Sequence, residues 1–133
     1  MLLCDYAEEL GGKLYIMGGG WSVLRTPNVP SNVYLAIKLS VPWNQANEPH
    51  DLAIRLVTED GKPVQSEGQE GDVQLTGKVE VGRPPGLRPG TDLDLPLVAS
   101  FHGLTLPPGG YRWSLEIDDM LLTKIPFRVL ELP

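Results

Sequence analysis

The chain is all-β: the sequence predicts an antiparallel, immunoglobulin-like β-sandwich of about nine strands. Three observations carry this. Apolar residues recur at every second position, which puts them on one face of a strand. Turn signals such as "EDGKP", "SEGQEGD" and "GRPPGLRPGT" separate those runs at regular intervals. Fifteen glycines and thirteen prolines punctuate the chain, and no stretch keeps a helical rhythm for long.

In chain order, "CDYAEEL" is the nearest approach to a helical pattern, but it is too short, and "ELGGK" beside it reads as a turn. Trp21, Ser22, Val23 and Leu24 read as strand after the glycines Gly18–Gly20. Val33, Leu35, Ile37, Leu39 and Val41 share one face of a strand, and Leu52, Ile54 and Leu56 share a face of the next. Short "KPVQ" reads as an edge piece. Val73, Leu75, Val79 and Val81 alternate with polar residues. So do Leu93, Leu95, Leu97, Ala99 and Phe101, and then Tyr111, Trp113, Leu115 and Ile117. In the last strand, "TKIPFRVLEL", Pro126 has no amide to donate and belongs on an edge or at a bulge. "LPPGGY", Leu106 to Tyr111, resembles the tyrosine corner of immunoglobulin-like and fibronectin-like sandwiches, where the hydroxyl bonds back to nearby backbone. The paired inter-sheet cysteines of antibody domains are missing.

The 133 residues suit one domain spanning 1–133, with no internal repeat or linker. Hydrophobic residues make up 41% of the chain, enough for a core that needs neither metal nor disulfide. The net charge of −6 disfavours nucleic acid and anionic membrane surfaces as partners. No apolar run approaches the roughly 18 residues of a membrane span. "MLLC" lacks the charged and apolar segments that precede a lipoprotein cleavage site. A lone cysteine, Cys4, fits a reducing compartment. With Met1 as the start, a cytoplasmic location is expected.

Four stretches together, "CDYAEELGGKLYIMGGGW", "VPWNQANEPHDLAIRL", "VGRPPGLRPGTDLDLPL" and "LPPGGYRWSLEID", resemble a bacterial family known only as a domain of unknown function. The likeness spans nearly the whole chain. It implies a small bacterial cytoplasmic domain and supplies no reaction, cofactor or partner.

No catalytic constellation stands out. Gly18–Gly20 lacks the helix and the Lys-Ser or Lys-Thr pair of a phosphate loop, so a strand kink where backbone approaches backbone explains it better. Cys4, His50 and His102 are too dispersed in sequence to read as a zinc set. Cys4 has no nearby base and reads as a small buried residue. Asp92 and Asp94 alternate with core leucines and read as solvated charges. No cofactor is expected.

Two loops are the candidate contact surfaces. "VPWNQANEPH" offers Trp43, Asn44, Asn47 and His50 between two strands. Trp43 reads first as a plug on the sandwich end, with the asparagines in Asx turns. The other reading makes Trp43 a platform for a sugar or peptide. "RPPGLRPG" is a stiff connector whose Arg83 and Arg88 suit an acidic partner. The leading expectation is a non-catalytic protein-interaction or assembly module, binding another protein or itself through edge strands. The alternative is a small-ligand or carbohydrate-binding module using the Trp43–His50 loop. An enzyme comes last, and requires a cleft that gathers a histidine with Cys4 or carboxylates.

Overall fold

A computed structural model describes residues 1–131. The described residues form nine strands: β1 (Leu2–Leu10), β2 (Lys13–Gly19), β3 (Val23–Leu24), β4 (Ser31–Val41), β5 (His50–Thr58), β6 (Gln74–Val79), β7 (Leu93–Leu104), β8 (Gly109–Ile117) and β9 (Met120–Val129). They make a four-stranded sheet ordered β2-β1-β4-β7 and a five-stranded sheet ordered β3-β9-β8-β5-β6. The all-β sandwich expected from the alternation is therefore what forms. With β4, β5, β7, β8 and β9 in the roles of strands B, C, E, F and G, the neighbour pairs B–E and G–F–C of immunoglobulin sandwiches are reproduced.

The inward residues meet as the alternation requires. Leu35, Ile37 and Leu93 from the first sheet pack against Ile54, Leu56, Trp113 and Leu115 from the second, all essentially without solvent contact. Trp113 lies at the centre, 4.5 Å from Phe101 and 6.3 Å from Phe127 between ring centroids. The tyrosine corner is built as expected: the Tyr111 hydroxyl donates to the Pro107 carbonyl at 2.7 Å, where the chain crosses between sheets. Tyr111→Phe removes that bond and leaves a partly buried carbonyl unmet. A loss of about 1 kcal/mol is expected in urea unfolding, with an unchanged denaturant slope.

Three expectations need correction. The sandwich is not wholly antiparallel, because β3 runs parallel to β9, pairing Val23 with Arg128 and Leu24 with Val129. "KPVQ" is not an edge strand. Pro63 makes only an isolated bridge to Val57, and Val64 turns into the core, its amide bonded to Leu56 while its carbonyl accepts from Val73. The glycine stretch does not bring backbone against backbone. Gly18 takes a left-handed φ of 61°, and a Cβ on Gly19 would meet the Ile16 and Leu2 side chains at 2.9 Å. Pro126 does sit where β9 has β8 on one side only, since β3 reaches no further back than Arg128. The bulge in β9, however, falls at Leu122, the extra residue between the pairs Leu115–Thr123 and Glu116–Leu121. Leu132, which closes the expected last strand, lies outside the described residues.

The sequence pattern also does not reveal a second apolar layer. β4 separates β1 and β2 from β7 in the sheet order, yet both come close to β7. The β1–β2 hairpin must therefore bend over the outer face of its own sheet. Cys4, Ala7 and Ala36 are buried there, with Leu2, Leu14, Tyr34 and Val98 packed around them. Small residues allow the close approach. Cys4 donates to the Tyr34 carbonyl, and burial pushes its thiol pKa up, so it behaves as an inert packing residue.

Candidate functional site: a cleft between two open strand edges

Strand pairing leaves two edges uncovered on one side of the sandwich. Among the described residues β1 pairs with β4 only at Tyr34, Leu35 and Ala36, so Ile37 to Val41 are paired with β7 alone. β3 covers β9 only at Arg128 and Val129, so Met120 to Ile125 have β8 alone. Between these edges the sandwich opens into a cavity of about 260 Å³. Leu39, Val41, Val79, Val81, Leu95 and Ile117 supply its apolar walls, and Met120 and Leu122 form its β9 lip. This opening is why Leu95, a core position by alternation, is only half-buried. The β9 bulge matters here too, since an extra residue re-aims side chains, and Leu122 lines the cavity. Met120, Leu121 and Leu122 remain 68, 56 and 54% exposed, an apolar run on an unpaired edge.

The lining also includes the polar groups Gln45, His50, Glu80 and Asp118. The imidazole of His50 spans two connections. Its Nε2 donates to the Gln45 carbonyl at 2.9 Å, and its Nδ1 meets the Asp118 carboxylate at 2.8 Å. Both neighbours are acceptors, so the doubly protonated ring satisfies both. The Gln45 carbonyl first, and then the Asp118 carboxylate, raise the His50 pKa above its ordinary value. Asp118 is lowered in turn, by His50 and by the Asp51 amide that donates to its other oxygen. Asp118 and Asp119 both hold positive φ, as a tight two-residue hairpin turn demands. The tie thus fastens the β8–β9 turn to the start of β5.

The sign of its pH dependence follows. The His50 contribution is complete below its unfolded value of about 6.5 and is lost as pH rises through its raised folded value. The Asp118 contribution is present above about 3.9 and is lost as pH falls through its lowered folded value. Stability from the tie is therefore greatest in mildly acidic solution. Urea midpoints should fall from about pH 6 to pH 8.5 in the wild type, and His50→Gln should flatten that step. Equal slopes in both proteins would show that the tie is energetically silent.

The structure brings some of the expected contact residues together and not others. His50 lies at the cavity. Trp43 begins a single 3-10 turn, Trp43–Gln45, and packs half-buried against the main core. The Arg83 guanidinium lies 4.5 Å from its ring centroid and donates to the Trp43 carbonyl at 2.7 Å. Trp43 is thus the expected plug, held down by Arg83. Between core and guanidinium, little ring is left as a stacking platform. Among the described residues the Asx turns do not form. Asn44 is exposed, and Asn47 occupies a left-handed position, φ 59°, with its amide bonded to the Val81 carbonyl. Arg88 is exposed on the proline loop and is not a lining residue of the cavity. Cys4 and His102 both approach Tyr34 on the first sheet, whereas His50 belongs to the second. Among the described residues no three potential ligands gather for a metal.

Sequence reasoning missed Asp118, Met120 and Leu122. A signal existed: "MLL" directly after the Asp118-Asp119 turn breaks the every-second-residue rule with three apolar residues in a row.

A family model described as "Family of unknown function (DUF6941)" matches residues 1–130. No curated protein and no solved structure matches the chain. Among the described residues no helix is long and apolar enough to cross a membrane.

Proposed function

The chain belongs to this family of unknown function, and from that premise we propose a role read from the cleft itself: a non-catalytic protein-interaction module that accepts an extended segment of a partner as an added strand. The observation that carries this reading is the apolar cavity lying between two uncovered edges, β4 at Ile37–Val41 and β9 at Met120–Ile125. An added strand gains main-chain hydrogen bonds from the edge, while the cavity receives one of its side chains. The cavity size supports a side chain over a free ligand, being below the roughly 300–1,000 Å³ of small-molecule sites. The alternative, a sugar or small ligand on the Trp43 loop, has less support because Arg83 lies over the ring. We place the module in a reducing, cytoplasmic setting on the strength of its single buried thiol.

The test is selection from a displayed library of short extended peptides, followed by NMR titration of the labelled protein. Selected peptides should perturb the amides of Met120 to Ile125 and the methyls of Leu39, Leu95 and Leu122. Peptides that map to another surface, or a library that yields no binder, would overturn the reading.

A further inference from the structure

The cleft also has a mixed chemical character. Its walls include the aliphatic Leu122, Leu39, Ile117 and Val79. Its lining also carries the exposed carboxylates Glu80 and Asp118, and Glu48 approaches His50 at 4.0 Å. Of these three carboxylates, Asp118 is engaged by the His50 ring at 2.8 Å. Lys78 is spent on Asp51 at 2.8 Å, and Arg83 on Trp43. Among the described residues Glu80 has no ion-pair partner. A groove of this kind fits a long side chain whose stem is apolar and whose head is cationic.

We propose that the residue anchored in the cavity is a lysine or arginine of the partner strand, its stem against Leu39, Leu95 and Ile117 and its head at Glu80 and Glu48. This rests on the added-strand reading and sharpens it from an apolar anchor to a basic one. Charge also selects the occupant. At net −6, two copies of this chain repel each other, whereas a basic segment of another protein is drawn in. A strand anchored this way lies along Met120–Ile125, where Lys124 is the only charged side chain.

The experiment uses the full chain and synthetic alternating valine–threonine peptides whose central residue is lysine, arginine, leucine, glutamine or glutamate. Affinity is read by fluorescence anisotropy at low and at physiological salt. The lysine and arginine peptides should bind about three- to tenfold more tightly than the leucine peptide at low salt, with the gap narrowing as salt rises. Glu80→Gln, a change at an exposed position, should erase most of that gap by weakening the lysine and arginine peptides more than the leucine peptide. If leucine binds as well as lysine, or Glu80→Gln affects both equally, the basic anchor is wrong while the added strand stands. If no peptide binds, the added-strand reading fails and the anchor falls with it. Sedimentation showing a dimer that the lysine peptide does not dissociate would make a second copy the occupant and overturn the proposal.

Discussion

Trp113→Ala should cost about 3–5 kcal/mol of unfolding free energy, the range for losing a fully buried large aromatic side chain. Few positions justify so large a figure. The indole has no solvent contact and is flanked by Phe101 and Phe127. Its strand, β8, sits between β9 and β5 in the middle of the five-stranded sheet. Removing it opens a hole that the surrounding core can relax to fill only in part. For a domain whose total stability lies in the usual range of about 5–15 kcal/mol, the variant would stand near its unfolding threshold. Trp113→Phe refines the test. Among the described residues the indole Nε1 has no hydrogen-bond partner. Phenylalanine removes that unmet donor while keeping most of the ring, so its cost should be well below that of alanine. Urea unfolding followed by circular dichroism measures both. An alanine variant within about 1 kcal/mol of wild type would mean that the centre of the core lies elsewhere.

The second large effect is expected on the other side of the first sheet. Ala36→Leu inserts a branched side chain where the β1–β2 hairpin folds down onto β4 and β7. Ala36 is 3% exposed there, against Cys4 and Ala7. Overpacking of this kind costs about 1–3 kcal/mol. Its location distinguishes it from Trp113. The sandwich core should be preserved, while the amides of Ala7 to Leu14 exchange faster and the Cys4 thiol becomes accessible to a disulfide reagent. Unchanged exchange in the hairpin, with Cys4 still silent, would show that the hairpin does not depend on close contact at Ala36.

The contrast between these two sites mirrors what the amino-acid order reveals. Alternation identifies Trp113, Leu115, Ile54 and Leu93 as inward because a strand's period depends only on local geometry. The corner at Tyr111 is similarly legible, since Pro107, Gly109 and the tyrosine lie within five residues. Ala36 shows where local reading stops. It alternates correctly to the outer face, and nothing in its neighbourhood says that a distant hairpin will cover it. The candidate cleft is hidden for the same reason. It arises from how far β1 runs along β4 and how far β3 runs along β9, which are properties of pairing rather than of any one segment. His50 was legible as a polar group at a strand start. Its partner Asp118, 68 positions away, was not. Asn44, Asn47 and Arg88, suggested as contacts by composition, lie on loops outside the cavity lining.

The order of strands along the chain has a further consequence, for how the protein is made. β4 finds its long partner β7 only after β5, β6 and the proline loop have been synthesised, and β3 finds β9 later still. Pairings between remote segments are slow, on the order of milliseconds to seconds in proteins of this architecture. On the ribosome, the nascent chain therefore carries Val33, Leu35, Ile37 and Leu39 uncovered until Leu93–Leu104 emerges. During that interval it is a natural client for chaperones that hold apolar extended segments.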